Sequence, residues 1–321
     1  MISKIRETVK KLFNEDKINI FIGYGDGSLP LRTTLSFITS AEDVDKLVWN
    51  SFCSNNLAVY LSRFFPPQPR KEEPEWPKVG ILANGCTGRS LVGLIKEKQI
   101  PRENIIIVGV PCSGMLSIRK IKDRDISKGM EKDDVIIIED NTGKETKLNK
   151  EELLADVCIS CTYSKPVVYD ILIEGVGQEA SRPYMGVSEF EKLSSSERWA
   201  AFEEEISKCI RCYACQSACP NCWCKECFAV QTSPRWIGIT NNISDLMFYH
   251  LGRIFHQAGR CVDCGACVAA CPVGIDLRKF TYKLIQDVKD LYGYESGISL
   301  EELPPLSTYN LEDEQEFITE P

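Results

Sequence analysis

Cys209-Ile-Arg-Cys212-Tyr-Ala-Cys215-Gln-Ser-Ala-Cys219-Pro220 is a phrase that the chain writes twice. The second copy is Cys261-Val-Asp-Cys264-Gly-Ala-Cys267-Val-Ala-Ala-Cys271-Pro272. Both read C-x2-C-x2-C-x3-C-P, the ligand run of a two-cluster ferredoxin. In such pairs three thiolates of one run hold a cubane and the fourth crosses to its neighbour. The spacing therefore predicts one [4Fe-4S] cluster on Cys209, Cys212, Cys215 and Cys271, and a second on Cys261, Cys264, Cys267 and Cys219. Zinc asks for two pairs closing one tetrahedral site. Disulfides ask for an oxidising compartment. Neither explains three close thiols and a Cys-Pro in duplicate. Two adjacent cubanes carry electrons singly and do no bond chemistry of their own.

The connection between the phrases, residues 221–260, is longer than a compact β-type ferredoxin needs. It carries apolar residues at helical spacing, with Leu246, Tyr249, Leu251, Ile254 and Phe255 on a helix from Asp245. That pattern predicts an α-helical two-cluster [4Fe-4S] ferredoxin domain over residues 196–293.

Working outward, the 321 residues suffice for two domains. The net charge is −8, which argues against nucleic acid or an anionic membrane surface as a main partner. There are 16 cysteines and two histidines, His250 and His256, so metal ligation is a matter for thiolates, and haem or Rieske chemistry is disfavoured. The histidines lie six apart on different helix faces and make no metal pair. No apolar run reaches the length of a membrane span. The charged start, with Ile2, Ile5, Val9 and Leu12 at helical spacing, reads as a short amphipathic helix rather than a signal peptide. The expected location is cytoplasmic, in a cell with anaerobic metabolism.

Residues 1–195 read as an α/β module with a small parallel sheet. Residues 18–24 and 79–83 are strand-like, and residues 43–64 carry a helical pattern. Asn84-Gly-Cys86-Thr-Gly88-Arg89 is a turn into a helix over 90–99, and residues 104–110 form the next strand. Strand, turn, helix, strand is a βαβ unit and implies a parallel pair. Residues 134–149 form a hairpin turning near 141–143, and a short helix opens at 151. Residues 64–77 are a Pro-rich charged loop, 178–196 a polar linker, and 294–321 an acidic tail. The turn Gly23-Tyr-Gly25-Asp-Gly27 fails the spacing of a phosphate loop. Gly85 to Arg89 reads as an ordinary βα turn in preference to an anion site.

Eight cysteines remain. Cys86 and Cys112 follow adjacent parallel strands, at the sheet edge where α/β proteins build their sites. Cys158 and Cys161 form a C-x2-C pair that supplies two more thiolates. These four residues are the candidate ligands of a third cubane, against the plainer reading of small buried hydrophobes. Cys222, Cys224 and Cys227 crowd behind Pro220. Three roles stand open for them: covering or tuning the first cluster, ligating another metal with an outside residue, or exchanging into a cluster. Cys53 reads as structural.

The run from Cys209 through Cys227, followed by Gly259 through Pro272, resembles the beta subunits of coenzyme F420-dependent formate dehydrogenases and hydrogenases. Leu291-Tyr-Gly-Tyr294 and Leu303-Pro-Pro-Leu306 resemble the end of those subunits. Phe37 to Val44, the Cys86 and Cys112 turns and Cys158-x2-Cys161 resemble them more loosely. The resemblance implies an iron–sulfur electron-transfer subunit of a multi-subunit oxidoreductase. It would relay electrons from a formate-, hydrogen- or pyridine-nucleotide-oxidising subunit to a heterodisulfide-reductase-like partner. The chain departs from the family where a Cys-Gly-Gly run is expected before Leu35, and at Ile173, where a cysteine is expected. Both departures weigh against bound FAD. The alternative is a subunit that keeps a flavin and oxidises a reduced deazaflavin or another hydride donor.

Overall fold

The computed structural model describes residues 1–66, 75–121, 126–177, 184 and 186–309. Residues 67–74 of the Pro-rich loop, most of the polar linker before 187 and the acidic run 310–321 lie outside the described residues. Along the chain come α1 (Ile2–Asn14), β1 (Ile20–Asp26), β2 (Thr33–Ile38), β3 (Val79–Ala83), α2 (Gly85–Lys96) and β4 (Ile105–Gly109). These are followed by β5 (Ile126–Lys132), β6 (Val135–Asp140), β7 (Glu145–Asn149), α3 (Lys150–Leu153), α4 (Asp156–Ile159) and β8 (Ile171–Leu172). Helices α5 (Val187–Glu191), α6 (Ser195–Ser207), α7 (Ala214–Ser217), α8 (Ile243–His256), α9 (Ala266–Ala270) and α10 (Arg278–Tyr292) complete the described chain. The molecule thus has an N-terminal α/β region containing a parallel sheet and a helical C-terminal region.

The main sheet has the order β2-β1-β3-β4-β8. β3 pairs in parallel with β1 and β4, with Val79 opposite Ile105 and Ala83 opposite Gly109. All five residues of β3 are buried, as a parallel strand covered on both faces requires. The amphipathic start is α1, whose Ile5, Val9 and Leu12 enter the same core as β3 and β4. β5, β6 and β7 form a separate antiparallel sheet. Its tight turn is held by the Asp140 carboxylate, which accepts from the Thr142 and Lys144 amides. Glu131 on β5 accepts from the Ser51 amide at 2.8 Å and from Lys150 Nζ at 2.6 Å. Burial pushes this carboxyl up, but those hydrogen bonds outweigh it and hold Glu131 below its ordinary value.

Several expectations need correction. The helical pattern over 43–64 forms only two 3-10 segments, Asp43–Lys46 and Leu57–Arg63. Between them Asn50 and Asn56 turn their side-chain oxygens onto the amides of Phe52 and Ala58. Such local side-chain bonds compete with helical ones. α2 starts at Gly85, not Ser90, because the Asn84 side chain caps it at the Thr87 amide, 3.1 Å away. Cys86 therefore sits in the first turn of a helix. Gly23 and Gly25 are strand residues of β1 rather than a turn. The short helix expected over 151–156 is two pieces, α3 and α4.

In the helical region, α6 is opened by a capping box of Ser194 and Glu197. Phe202 and Ile206 of α6 pack with Leu246, Met247 and Ile254 of α8 and with Ile275 and Leu277. The two regions interlock. Arg89 of α2 is buried, donates to the Ser296 carbonyl from Nε at 3.0 Å and Nη2 at 2.6 Å, and stands 3.6 Å from Glu295. Its guanidinium also lies 4.4 Å over the Tyr163 ring. At the other end of α2, Glu97 accepts from Trp223 Nε1 at 2.9 Å and from Arg260 Nε at 2.6 Å. Tyr294 and Ser296, at the start of the expected tail, are buried.

Replacing Arg89 by Met removes the charge-assisted bonds to the Ser296 carbonyl. The expected cost is roughly 2–3 kcal/mol, read as a lower guanidinium midpoint under anaerobic conditions. An unchanged midpoint would show that the two regions do not depend on this contact.

Candidate metal centres

The duplicated phrase repeats in the backbone as well as in the letters. In the first copy Arg211 and Tyr213 have positive φ, at 53° and 59°. In the second, Asp263 and Gly265 stand at the same positions with 54° and 70°. A left-handed residue at alternate positions turns successive amides inward, and such concavities suit phosphate and iron–sulfur groups. The Arg211 amide lies 3.3 Å from Cys209 Sγ, and the Ile275 amide 3.3 Å from Cys271 Sγ. Each phrase then enters a short helix, α7 or α9.

Cys209, Cys212 and Cys215 of the first phrase border one small cavity together with Cys271 of the second. Tyr249 and His250 of α8 close its inner side. His250 Nε2 stands 3.3 Å from Cys209 Sγ, and Arg253 Nη1 2.9 Å from Cys215 Sγ. Burial, with the Arg253 and Arg211 charges, pushes the His250 imidazole down to about 3, so it is neutral. His256, on the same helix, is exposed and packs its ring on Phe228. Neither histidine's neighbourhood was legible in helix periodicity, because both partners lie far away in sequence.

Cys261, Cys264 and Cys267 lie together in the second phrase, and Cys219 faces Cys264. Cys222 stands beside Cys219. A hydrogen bond between them, then burial, holds the Cys219 thiol well above its ordinary value, and the same bond brings Cys222 down to about 6. Nothing in the spacing paired Cys222 with Cys219 in particular. Trp223, next in the chain, is anchored on Glu97, which fixes Cys222 on this side. Cys224 is exposed.

A cavity of about 590 Å³ lies between the two regions. Cys86 reaches it from α2, Cys112 from the chain after β4, Cys158 from α4 and Cys161 from just beyond. The four cysteines singled out in the N-terminal region thus line one cavity. The Met115 amide lies 3.2 Å from Cys158 Sγ and the Gly114 amide 3.4 Å from Cys112 Sγ. Cys53, whose polar turn marked it only as structural, also borders the space while packing in the core. The opposite wall is the second phrase, including Asp263, Cys264 and Cys271. The approach is tight. A Cβ on Gly85 would lie 1.7 Å from the Tyr163 carbonyl oxygen, and one on Gly265 2.7 Å from Val157. Arg89 is turned onto Ser296 and the Thr87 amide is occupied by Asn84, so the Gly85–Gly88 turn is no anion cradle. Ile173, at the position of the expected cysteine, belongs to the hydrophobic core.

These donor sets fit iron–sulfur clusters in kind. Burial pushes Cys158 and Cys261 up to about 12 and holds Cys86 and Cys267 well above the usual thiol range. Thiolates in such surroundings need a metal's charge to ionise them. Among the described residues no three His, Cys, Asp or Glu side chains converge closely enough to hold a single metal ion. The thiols border spaces rather than a point.

Residues 255–275, which contain the second phrase, match the family described as "4Fe-4S binding domain". Over 86% of its length the chain is 21% identical to the F420-dependent formate dehydrogenase subunit beta of Methanocaldococcus jannaschii, covering 86% of that protein. It is 22% identical to the F420-dependent formate dehydrogenase 1 subunit beta of Methanococcus maripaludis, over 88% of this chain and 89% of the relative. A chain of the F420-reducing [NiFe] hydrogenase complex from Methanosarcina barkeri aligns with a TM-score of 0.37 and 16% identity, over 50% of this chain and 59% of that one. That likeness is too low to carry an argument. No helix among the described residues is long and apolar enough to cross a membrane. Over most of its length the chain is thus similar to the beta subunits of F420-dependent formate dehydrogenases, with a 4Fe-4S match at the second phrase.

Proposed function

We propose that this chain is an iron–sulfur electron-transfer subunit of a cytoplasmic, multi-subunit oxidoreductase. It would hold one cluster on Cys209, Cys212, Cys215 and Cys271, a second on Cys261, Cys264, Cys267 and Cys219, and a third on Cys86, Cys112, Cys158 and Cys161. The observation that carries this reading is the meeting of Cys271 with the first three cysteines of the other phrase around one cavity. That is the crossing a two-cluster ferredoxin requires. When bound, such clusters accept and release single electrons. The protein's own part is to supply thiolates, aim amides at their sulfurs and exclude water. The second phrase also supports a connected relay, since its Cys264 borders the third set's cavity while Cys271 belongs with the first.

The partners in this reading are redox subunits of one complex, with a dehydrogenase or hydrogenase on one side and a heterodisulfide-reductase-like acceptor on the other. Formate dehydrogenase is favoured as the setting because the curated relatives carry that name. The same relatives are called F420-dependent, which keeps the flavin-bearing alternative in play. A flavin absorbance band released on denaturation would favour that alternative, and its absence the plain relay.

Full-length protein purified without oxygen should carry about twelve irons, four for each of three cubanes. Cys271→Ser should cost the cluster of Cys209, Cys212 and Cys215. Loss of only the other ferredoxin-type signal in electron paramagnetic resonance would overturn the crossed assignment. Wild-type iron near eight would remove the third cluster.

A methyl group at Gly85 must displace the Tyr163 carbonyl or α2 itself. Gly85→Ala is therefore expected to lower iron by about four per chain, leaving both ferredoxin-type signals. Full iron in that variant would separate the third set of cysteines from the α2 start.

A further inference from the structure

The two copies of the phrase differ in charge. At its third position the first copy has Arg211 and the second Asp263, on matching left-handed backbone. Arg211 is buried and donates to the carbonyls of Gly238 and Thr240. Asp263 is bound by Arg278, with Nε–O distances of 2.9 and 3.0 Å. A second cation stands closest to the first side, while also facing Cys219 and Cys267 of the second. Arg253 of α8 is 7% exposed. Its Nη1 lies 2.9 Å from Cys215 Sγ, and its Nη2 lies 3.2 Å from the Cys215 carbonyl and 3.7 Å from Cys222 Sγ. Its Nε has no partner among the described residues. The titratable groups facing it most strongly are the Cys215, Cys222 and Cys219 thiols and the neutral Tyr249 phenol.

Burying a guanidinium is costly unless an anion accompanies it. Here the accompanying anion is thiolate sulfur. His250, on the preceding turn of the same helix, meets Cys209 Sγ through Nε2 at 3.3 Å. A metal-bound thiolate carries no proton, so Nε2 is the donor. Helix α8 thus sends two donors to two thiolates of the first set; just past its end, Gln257 stands 3.7 Å from Cys222 Sγ and 3.8 Å from Cys219 Sγ of the second.

Resting on the functional reading above, we infer that Arg253 and His250 hold the first cluster at a higher reduction potential than the second, which gives the relay a direction. Adding an electron makes a cluster more negative, and a nearby cation and donors to its sulfurs stabilise that state. One electron leaves the second cluster, which is oxidised, and enters the first, which is reduced. The electron enters through the redox subunit that serves the second or third cluster. It leaves by the first, where Cys212 is exposed. Arg253 and His250 are positioning residues: they act on the potential through the thiolates and touch no substrate.

The test is an anaerobic redox titration of full-length protein followed by electron paramagnetic resonance, with the first cluster's signal identified as the one altered by Cys212→Ser. Arg253→Gln should lower that cluster's potential by about 59 mV, a tenfold change for a one-electron couple, and shift the second by clearly less. Arg253→Lys should restore most of the shift, and His250→Gln should lower the same potential by less. If Arg253→Gln fails to bind iron, the His250→Gln shift decides. Equal shifts in both clusters, or none in the first, would overturn the inference alone. Wild-type protein lacking two cluster signals would overturn the functional reading with it.

Discussion

A buried thiolate needs a positive charge beside it, and this chain buries many thiols in a few places. That constraint shapes the rest of the molecule. Burial holds Cys86, Cys112, Cys158, Cys261 and Cys267 above the ordinary thiol range. The loops around them aim amides at sulfur instead of completing helices or strands. The second phrase bears most of this demand. It contributes Cys271 to one cavity, Cys264 to another, and the Gly265 surface on which α4 rests.

The parts legible in the sequence were those set by local spacing. β3, β4, the hairpin of β6 and β7, α1 and α8 follow from apolar periodicity of two or 3.6. The grouping of Cys86 and Cys112 followed from two adjacent parallel strands ending at one edge, and the α/β and helical regions followed from the order of elements. What escaped was decided by side chains. Asn50, Asn56 and Asn84 each turned onto a nearby amide, breaking up one expected helix and starting another early. Arg89 resembled part of a turn and is a long-range bond to Ser296, 207 residues away. Cys53 and the pairing of Cys222 with Cys219 gave no spacing signal, since their neighbours arrive from distant segments.

The relatives and the geometry bear on different questions. Similarity at about one residue in five runs along most of the chain but says little about any one ligand. The cavities speak about ligands residue by residue. They also show what the two departures from the family do here: Ile173 fills core space, and the chain before Leu35 is spent on α1 and an antiparallel strand pair.

The interlock between α2 and the chain near Ser296 has a consequence for how the molecule is made. Synthesis runs from the N-terminus at about 5–20 residues per second, so Arg89 waits roughly 10–40 s for its partner. During that interval the wall formed by Cys264 and Cys271 does not exist, and Cys86, Cys112, Cys158 and Cys161 face solvent on one side. Iron delivered to the nascent N-terminal half would meet an open half-shell. The cavity thus stays open on one side until residues 261–296 have been made, and this segment is the door that closes behind its cofactor.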